Sequence, residues 1–180
     1  MLRRELEGGA QLRLLEESDA VELYALVDRN RRHLEPWLPW VPATTGPASI
    51  REFIRATRRQ VAENDGLQLA IVADGGAIAG VVGVHRIDWA NRSTTIGYWL
   101  SADAQGRGTM TAAVRALVDH AFLGWGLNRV EISAAVDNAR SRAVPERLGF
   151  REEGVRREAE RHAGRYLDLV VYAMLAADWR

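Results

Sequence analysis

Apolar residues recur along this chain with two different spacings, and each spacing predicts one kind of element. Alternation of apolar and polar residues, or a short apolar run, is typical of strands, whereas recurrence every three to four positions is typical of helices. Strands are predicted over residues 11–17, 67–73, 77–87, 94–101, 129–136, 150–155 and 166–175. Helices are predicted over about 20–31, from about residue 49, over 110–122 and over 138–149.

Capping residues indicate where the first two helices begin. Asp19, followed three residues later by Glu22, matches the pattern in which a side chain before the helix and one in its first turn cap each other. Ser49 and Glu52 match the same pattern. Between these helices the segment 36–42 contains three prolines, which exclude a continuous helix and predict an ordered loop or a broken helical turn.

The chain shows no internal division. No repeat, low-complexity tract or linker interrupts its 180 residues, a length that suits one domain. The turn 74–76, Asp-Gly-Gly, joins two predicted strands into an antiparallel hairpin. We expect residues 1–10 to form an N-terminal extension and residues 11–180 to form a single domain.

Composition excludes several kinds of chemistry. The 24 basic and 24 acidic residues balance and the pI is near 6.9, so no positive field attracts nucleic acid. All 24 basic residues are arginine, which excludes a phosphate-binding lysine of the Walker type and a lysine Schiff base. The absence of cysteine excludes disulfides, thiolate nucleophiles and cysteine-bound zinc. The four histidines lack metal-binding spacing, so no metal site is expected.

Targeting signals are also missing from the sequence. The N-terminal residues lack the apolar core of a signal peptide, and no segment approaches the ~20 apolar residues that span a bilayer. We expect a cytoplasmic protein with no membrane partner.

A glycine-rich turn precedes the predicted helix 110–122. Glycines let the backbone approach an anion closely, and a helix N-terminus offers unpaired N–H groups, so Gly106, Arg107 and Gly108 suit a phosphate or pyrophosphate. A dinucleotide-binding turn would have a third glycine where Thr111 stands and an acidic residue earlier than Asp137. The upstream antiparallel hairpin also disfavours that interpretation.

Longer sequence strings give the turn a context. The segment 105–110, QGRGTM, resembles the Q/R-x-x-G-x-G/A motif of the GCN5-related N-acetyltransferase (GNAT) superfamily through Gly108, and departs from it at Met110. The strings PWLPW (36–40), IGYWLS (96–101), NRVEI (128–132) and SRAVPERLGF (141–150) resemble its ribosomal-protein, or RimJ/RimL-like, branch. The resemblance extends from about residue 11 to residue 179.

This resemblance implies an α+β fold with a mixed, mostly antiparallel sheet flanked by helices. Two parallel strands, 94–101 and 129–136, would splay apart to admit acetyl-CoA, with pantetheine against one strand and the pyrophosphate on the glycine turn. The implied cofactor-binding residues are Tyr98, Trp99, Leu100, Gln105, Gly106, Arg107, Gly108, Thr109, Met110, Asn138 and Ser141.

The resemblance also implies two catalytic residues. In the wider superfamily a tyrosine serves the leaving thiolate, but Pro145 occupies that position here, and Ser141, three residues after Asn138, takes the role in the branch. The alternative is that Ser141 only caps the short helix. Glu160 matches the branch's general base, although it also fits a solvated charged segment. Glu131, acting through a water relay, is the alternative base.

The acceptor remains open at this point. Trp37 and Trp40 either wall an acceptor slot or fix their loop to the core. The preferred acceptor is a protein N-terminal α-amine, with a ribosomal protein as its candidate source, because an α-amine has a lower pKa than a lysine. The alternatives are a small amine acceptor and a non-catalytic acetyl-CoA sensor. A homodimer is compatible with the resemblance.

Overall fold

The structure is a computed structural model that describes residues 3–180, so residues 1 and 2 of the predicted N-terminal extension lie outside the described part. Within it, eight strands form one sheet in the order β1-β2-β3-β4-β5-β6-β8-β7. The strands are β1 (Arg3–Glu5), β2 (Gln11–Leu14), β3 (Leu67–Val72), β4 (Ile78–Asp88), β5 (Ser93–Leu100), β6 (Arg129–Ala135), β7 (Arg151–His162) and β8 (Arg165–Leu175). All neighbours are antiparallel except β5 and β6.

Helices cover both faces of the sheet and enclose two hydrophobic cores. The helices are α1 (Ala20–Arg29), α2 (Arg31–Leu34), α3 (Pro47–Ala62), α4 (Thr109–Asp119), which continues into a π-helical turn over His120–Gly124, and α5 (Ala139–Arg147). Helices α1 and α3 pack on one face, where Leu23 and Ile54 are buried. Helices α4 and α5 pack on the other face, where Leu117 and Val144 are buried. Along residues 3–180, no helix combines the length and apolarity that crossing a membrane requires.

The parallel pair β5–β6 separates after three residue pairs. The strands pair only from Ser93 with Arg129 to Thr95 with Glu131. Beyond this point β5 stays bound to β4 and β6 stays bound to β8, so the two strands diverge with their facing edges unpaired. The predicted α+β class, mixed sheet and splayed parallel pair are confirmed.

Both predicted capping boxes are wrong. At the first helix the box lies one turn earlier, because Glu16 and Asp19 cap each other around a short 3₁₀ turn. The Glu22 carboxylate instead accepts a hydrogen bond from the backbone N–H of Ile78 at 2.6 Å. Helix α3 begins at Pro47, whose fixed φ and missing N–H suit the first helical position.

The last hairpin is longer than its sequence predicts. Strand β7 was expected to end at residue 155, but it continues to His162 and pairs with β8 up to the turn. The two turn residues, Ala163 and Gly164, have φ angles of 48° and 80°, as a type I′ turn requires. An alanine in the first position gives no turn signal, which is why the sequence did not reveal this extension. At the other edge of the sheet, residues 3–5 pair with β2 as strand β1.

Candidate active site

A cleft of about 1980 Å³ opens where β5 and β6 separate. It is lined by all the residues that the sequence resemblance assigned to acetyl-CoA, namely residues 98–100, 105–110, 138 and 141. Glu160, Trp37 and Trp40 also line it. The fold therefore brings the predicted cofactor, catalytic and acceptor residues into one cavity.

The glycine turn forms one wall of this cleft. Gly106 and Gly108 have φ angles of 77° and 76°, which other residues rarely adopt, and Gly108 immediately precedes α4. Within residues 3–180, the N–H groups from Gly106 to Thr111 have no acceptor on the backbone. Six N–H groups at a helix N-terminus provide hydrogen-bond donors and a partial positive charge for an anion.

The departure of Met110 from the family motif has a structural reason. Its side chain is buried and packs in the core beneath α4, while its N–H belongs to the glycine turn. The φ angle of Met110 is not in the left-handed region, so the position does not require glycine. A large apolar residue at this position is therefore compatible with the backbone conformation of the glycine turn.

Asn138 and Ser141 lie at the start of α5, which follows β6, whereas the glycine turn follows β5 on the same face of the sheet. The Asn138 side chain caps the helix, because its Oδ1 accepts a hydrogen bond from the Ser141 N–H at 3.1 Å. The Ser141 hydroxyl is thus not the cap, and it donates instead towards the Tyr98 hydroxyl at 3.5 Å. The Tyr98 hydroxyl donates to the backbone oxygen of Ser141 at 2.9 Å.

Glu160 reaches the cleft because β7 bulges. Arg156 pairs with Leu169 and Glu160 pairs with Leu167, so four steps along β7 match only two along β8. The extra residues loop out around Glu158, which has a φ of 48° and whose N–H donates to Asp168 Oδ1 at 2.7 Å. The bulge thus brings Glu160 to the cleft, where it is half-buried.

Strand register shows that Trp99 and Glu160 project from the same face of the sheet. Paired residues face the same side, and successive residues along a strand alternate. The connecting pairs are Thr95 with Glu131, Ala135 with Leu169, and Leu167 with Glu160. Tyr98, one residue before Trp99, faces the other side, towards Ser141. The gap between β5 and β6 therefore joins a face carrying Glu160 to a face carrying Ser141.

The proline-rich loop lies at the Glu160 side of the cleft. Trp40 contacts Trp99 with ring centroids 6.0 Å apart and planes inclined by 53°. It remains 37% exposed, so the same ring both fixes the loop and leaves a surface open to the cleft. The buried His162 at the end of β7 hydrogen-bonds to the backbone oxygen of Glu35, which holds β7 against this loop.

Known proteins share this sequence and fold. The sequence-family model of the acetyltransferase (GNAT) domain matches residues 10–151 of this chain. The chain is 41% identical to the "Putative ribosomal N-acetyltransferase YdaF" of Bacillus subtilis over 93% of this chain and 92% of that protein. This chain belongs to the GNAT acetyltransferase family.

Two solved structures are similar to this acetyltransferase in sequence and in fold. RimL, a ribosomal L7/L12 α-N-protein acetyltransferase in complex with coenzyme A, is 29% identical with a TM-score of 0.90, covering 94% of this chain and 96% of that one. The microcin C7 self-immunity acetyltransferase MccE, in complex with acetyl-CoA and AMP, is 31% identical with a TM-score of 0.89, covering 93% and 92%. The acetyltransferase is accordingly an acetyl-CoA-dependent enzyme, as the sequence predicted.

The residues of the acetyltransferase fit acetyl-CoA. The pyrophosphate of acetyl-CoA would accept hydrogen bonds from the N–H groups of the glycine turn, and the pantetheine arm would lie along the unpaired edge of β5. Arg140, which the sequence did not single out, donates to Gln105 Oε1 at 2.9 Å, and Gln105 Nε2 lies 2.8 Å from His33 Nε2. These contacts hold an arginine guanidinium beside the turn. The one signal for Arg140 in the sequence is its position two residues after Asn138.

Glu131, the alternative base, is in a different place. It forms an ion pair with Arg129 at 2.7 Å, and Arg129 is shared with Glu153. It lines a separate, smaller cavity at the paired end of β5 and β6 and does not line the cleft. The geometry favours Glu160 over Glu131.

His85 is a further cleft residue with no assigned role. The Nε2 edge of its ring lies next to Gly97, where a Cβ atom would come within 2.1 Å of Nε2, so a side chain at that position would displace it. Part of the ring is accessible to solvent, but the surrounding protein lowers the pKa of His85 by removing it from water. His85 is therefore a neutral, polar side chain at physiological pH.

Proposed function

We propose that this acetyltransferase transfers the acetyl group of acetyl-CoA to the N-terminal α-amine of a protein, with a ribosomal protein as the candidate acceptor. The observation that carries the proposal is the gap between β5 and β6, which has the glycine turn and Ser141 on one side and Glu160 with the tryptophan loop on the other. The names of YdaF and RimL support a ribosomal acceptor. A ribosomal acceptor would place the reaction in the cytoplasm.

The residues on the two sides perform complementary steps. Bound acetyl-CoA supplies a thioester whose carbonyl carbon is attacked by the amine nitrogen. Glu160 accepts the proton that the amine loses, and unpaired N–H groups along the β5 edge stabilise the charge on the carbonyl oxygen. Ser141 hydrogen-bonds to the sulfur as the carbon–sulfur bond breaks. The products are an amide and a free thiol, so the proton lost by nitrogen balances the one gained by sulfur.

An α-amine suits this arrangement better than a lysine side chain. The pKa of an α-amine is about 7.7–8.0, against about 10.4 for lysine, so a much larger fraction is neutral near pH 7. One carboxylate is then sufficient as the base. We expect the enzyme to prefer peptides with a free N-terminus.

A thiol-release assay with paired peptides tests the proposal. One peptide has a free N-terminus and no lysine, and its partner has a blocked N-terminus and one lysine. Because the enzyme has no cysteine, it contributes no thiol of its own, and the assay signal from the enzyme reaction reports released CoA. We expect release with the free N-terminus only. Release with the lysine peptide alone, or with neither peptide, would contradict the assignment.

A second candidate acceptor is a small amine that carries a planar ring. The exposed surface of Trp40 beside Trp99 favours it, because aromatic rings pack against each other in such tilted arrangements. The complex of MccE with AMP supports it. An aminoacyl nucleotide analogue in the same assay distinguishes the two: turnover with the analogue and not with peptides would favour the small acceptor.

The non-catalytic alternative fits less well. A sensor would be favoured if Glu160 and Ser141 pointed away from the cleft, and both line it. The homodimer remains a prediction.

A further inference from the structure

Tyr98 extends across the space between β5 and α5, on the face opposite Glu160. Its hydroxyl donates to the backbone oxygen of Ser141 at 2.9 Å, and the Ser141 hydroxyl donates back towards it at 3.5 Å. Asn138 accepts from the N–H of the same serine at 3.1 Å. All three polar groups of Ser141 therefore have a partner, two of them on the single hydroxyl of Tyr98.

The hydrogen-bond directions limit what Tyr98 can do. A phenol has one proton, and here that proton is directed to the Ser141 carbonyl, so the phenol oxygen faces the serine hydroxyl as an acceptor. The contact of 3.5 Å is long and therefore weak. The serine hydroxyl has a defined resting direction, and little stabilisation is lost when it turns to another acceptor.

Tyr98 does not fit the role of the proton donor to sulfur. Burial raises the pKa of Tyr98, which makes its phenol a weaker acid towards the leaving thiolate. Tyr98 lies on β5, whereas the tyrosine that the wider superfamily uses would stand at the buried Pro145 of α5. Its contacts instead bear on the orientation of Ser141.

We propose that the Tyr98 hydroxyl is a positioning group for Ser141. It fixes the backbone of that residue at the gap and gives its hydroxyl a weak resting partner, from which the hydroxyl turns to the sulfur of CoA as the thioester breaks. This inference rests on the role of Ser141 in the proposed function.

The competing explanation is that Tyr98 only anchors α5. Tyr172 supplies a control for that explanation, because its hydroxyl accepts from Arg142 Nε at 2.9 Å and donates to Glu146 Oε1 at 2.8 Å, both on α5. Tyr172→Phe removes two contacts to the same helix without touching Ser141 or the cleft. A purely structural role predicts similar effects for Tyr98→Phe and Tyr172→Phe.

The test compares Tyr98→Phe, Ser141→Ala, their double variant and Tyr172→Phe with wild-type enzyme. We expect Tyr98→Phe to lower kcat about tenfold with less than about a twofold change in the KM for acetyl-CoA. The double variant should be no slower than Ser141→Ala, because the tyrosine acts through the serine. Tyr172→Phe should keep kcat within about twofold of wild type. Losses that multiply in the double variant, or equal losses in both tyrosine variants, would overturn the proposal.

A structural measurement separates this inference from the acceptor assignment. Crystal structures of wild type and Tyr98→Phe with CoA need no acceptor. We expect the Ser141 hydroxyl to occupy one rotamer in wild type and a different or divided one in the variant. An unchanged Ser141 rotamer would contradict the inference even if every peptide is acetylated. Inactive wild-type enzyme with a changed rotamer would contradict only the acceptor assignment.

Discussion

The two sides of the cleft differ in the chemical groups that line them. On the acetyl-CoA side, the glycine turn supplies six consecutive backbone N–H groups, and side chains play a secondary part. On the proposed acceptor side, Glu160, Trp40 and Trp99 come from three distant segments and line one cleft only in the folded chain. The proposed acetyl-CoA site is therefore formed mainly by backbone groups, and the proposed acceptor site mainly by side chains from separate segments.

The most damaging change should be Glu160→Gln, on the acceptor side. It removes the proposed proton acceptor while keeping the size of the side chain, so we expect kcat to fall by about 100-fold or more, with the Kd for acetyl-CoA unchanged. Steady-state kinetics and calorimetry measure the two quantities. Glu158→Gln is the matched control, because that exposed side chain lies in the same bulge, outside the cleft. A normal kcat in Glu160→Gln would remove the assignment of the base.

A smaller effect is expected from Gly108→Ala, on the acetyl-CoA side. There is room for a Cβ, but the φ of 76° costs an alanine about 1–2 kcal/mol and displaces the N–H groups if the turn relaxes. We expect about tenfold weaker acetyl-CoA binding with kcat at saturation largely preserved.

Gly76→Ala provides the control for strain alone. Gly76 has a φ of 84° in the turn between β3 and β4, with equal room for a Cβ. It should lose similar stability but bind acetyl-CoA normally. If both variants bind alike, the glycine turn has no special part in recognition.

Asp168→Ala should give a smaller loss, through the bulge that places Glu160. Without the Asp168 carboxylate, the N–H of Glu158 loses its acceptor and the bulge becomes less well defined. We expect kcat to fall about three- to fivefold at unchanged acetyl-CoA affinity, which is the effect expected from the loss of one hydrogen bond. Asp168→Asn keeps an oxygen acceptor and should restore most of the activity. Equal loss in both variants would indicate that the carboxylate charge, and not the bulge, is what matters.

The smallest expected effect concerns the stability of the fold, through an ion pair between β2 and the start of α1. Asp19, before α1, accepts from Arg13 at 2.7 and 2.9 Å and from the Glu16 N–H at 2.8 Å. Burial acts to raise the pKa of Asp19, but these hydrogen bonds outweigh it and the pKa is lowered from 3.8. A carboxylate with a lowered pKa stabilises the fold above its unfolded pKa and loses this contribution as the pH falls through its folded pKa.

Denaturant unfolding of wild type and Asp19→Asn measures this contribution. Because solvent partly screens the pair, we expect wild type to be more stable by about 1 kcal/mol or less at pH 7. The difference should shrink below about pH 4 and vanish in stronger acid. A difference that is the same at pH 7 and in strong acid would exclude the ion pair as its cause.

The acetyl-CoA side is easier to predict from the sequence because its features are local. A glycine turn before an apolar helix and the string IGYWLS each lie within a few neighbouring residues, and the splayed strands followed from the resemblance that these strings carry. Met110 departs from the motif, yet its side chain is buried in the core and its φ does not require glycine.

The acceptor side was predicted less completely because it depends on long-range pairing. The position of Glu160 was anticipated from its spacing, but the bulge that turns it into the cleft depends on Asp168 across the hairpin. The place of Glu131 outside the cleft follows from the pairing of β5 with β6, and its partner Arg129 also pairs with Glu153, which only folding brings near. No local pattern encodes either arrangement.

Measuring the acetyl-CoA Kd and kcat of Gly108→Ala and Glu160→Gln side by side tests the division between the two sides most directly. The structure predicts a crossed result: Gly108→Ala weakens binding and largely keeps kcat, whereas Glu160→Gln keeps binding and loses kcat. If both variants lose acetyl-CoA binding, or if both lose kcat, the two sides do not have these separate roles.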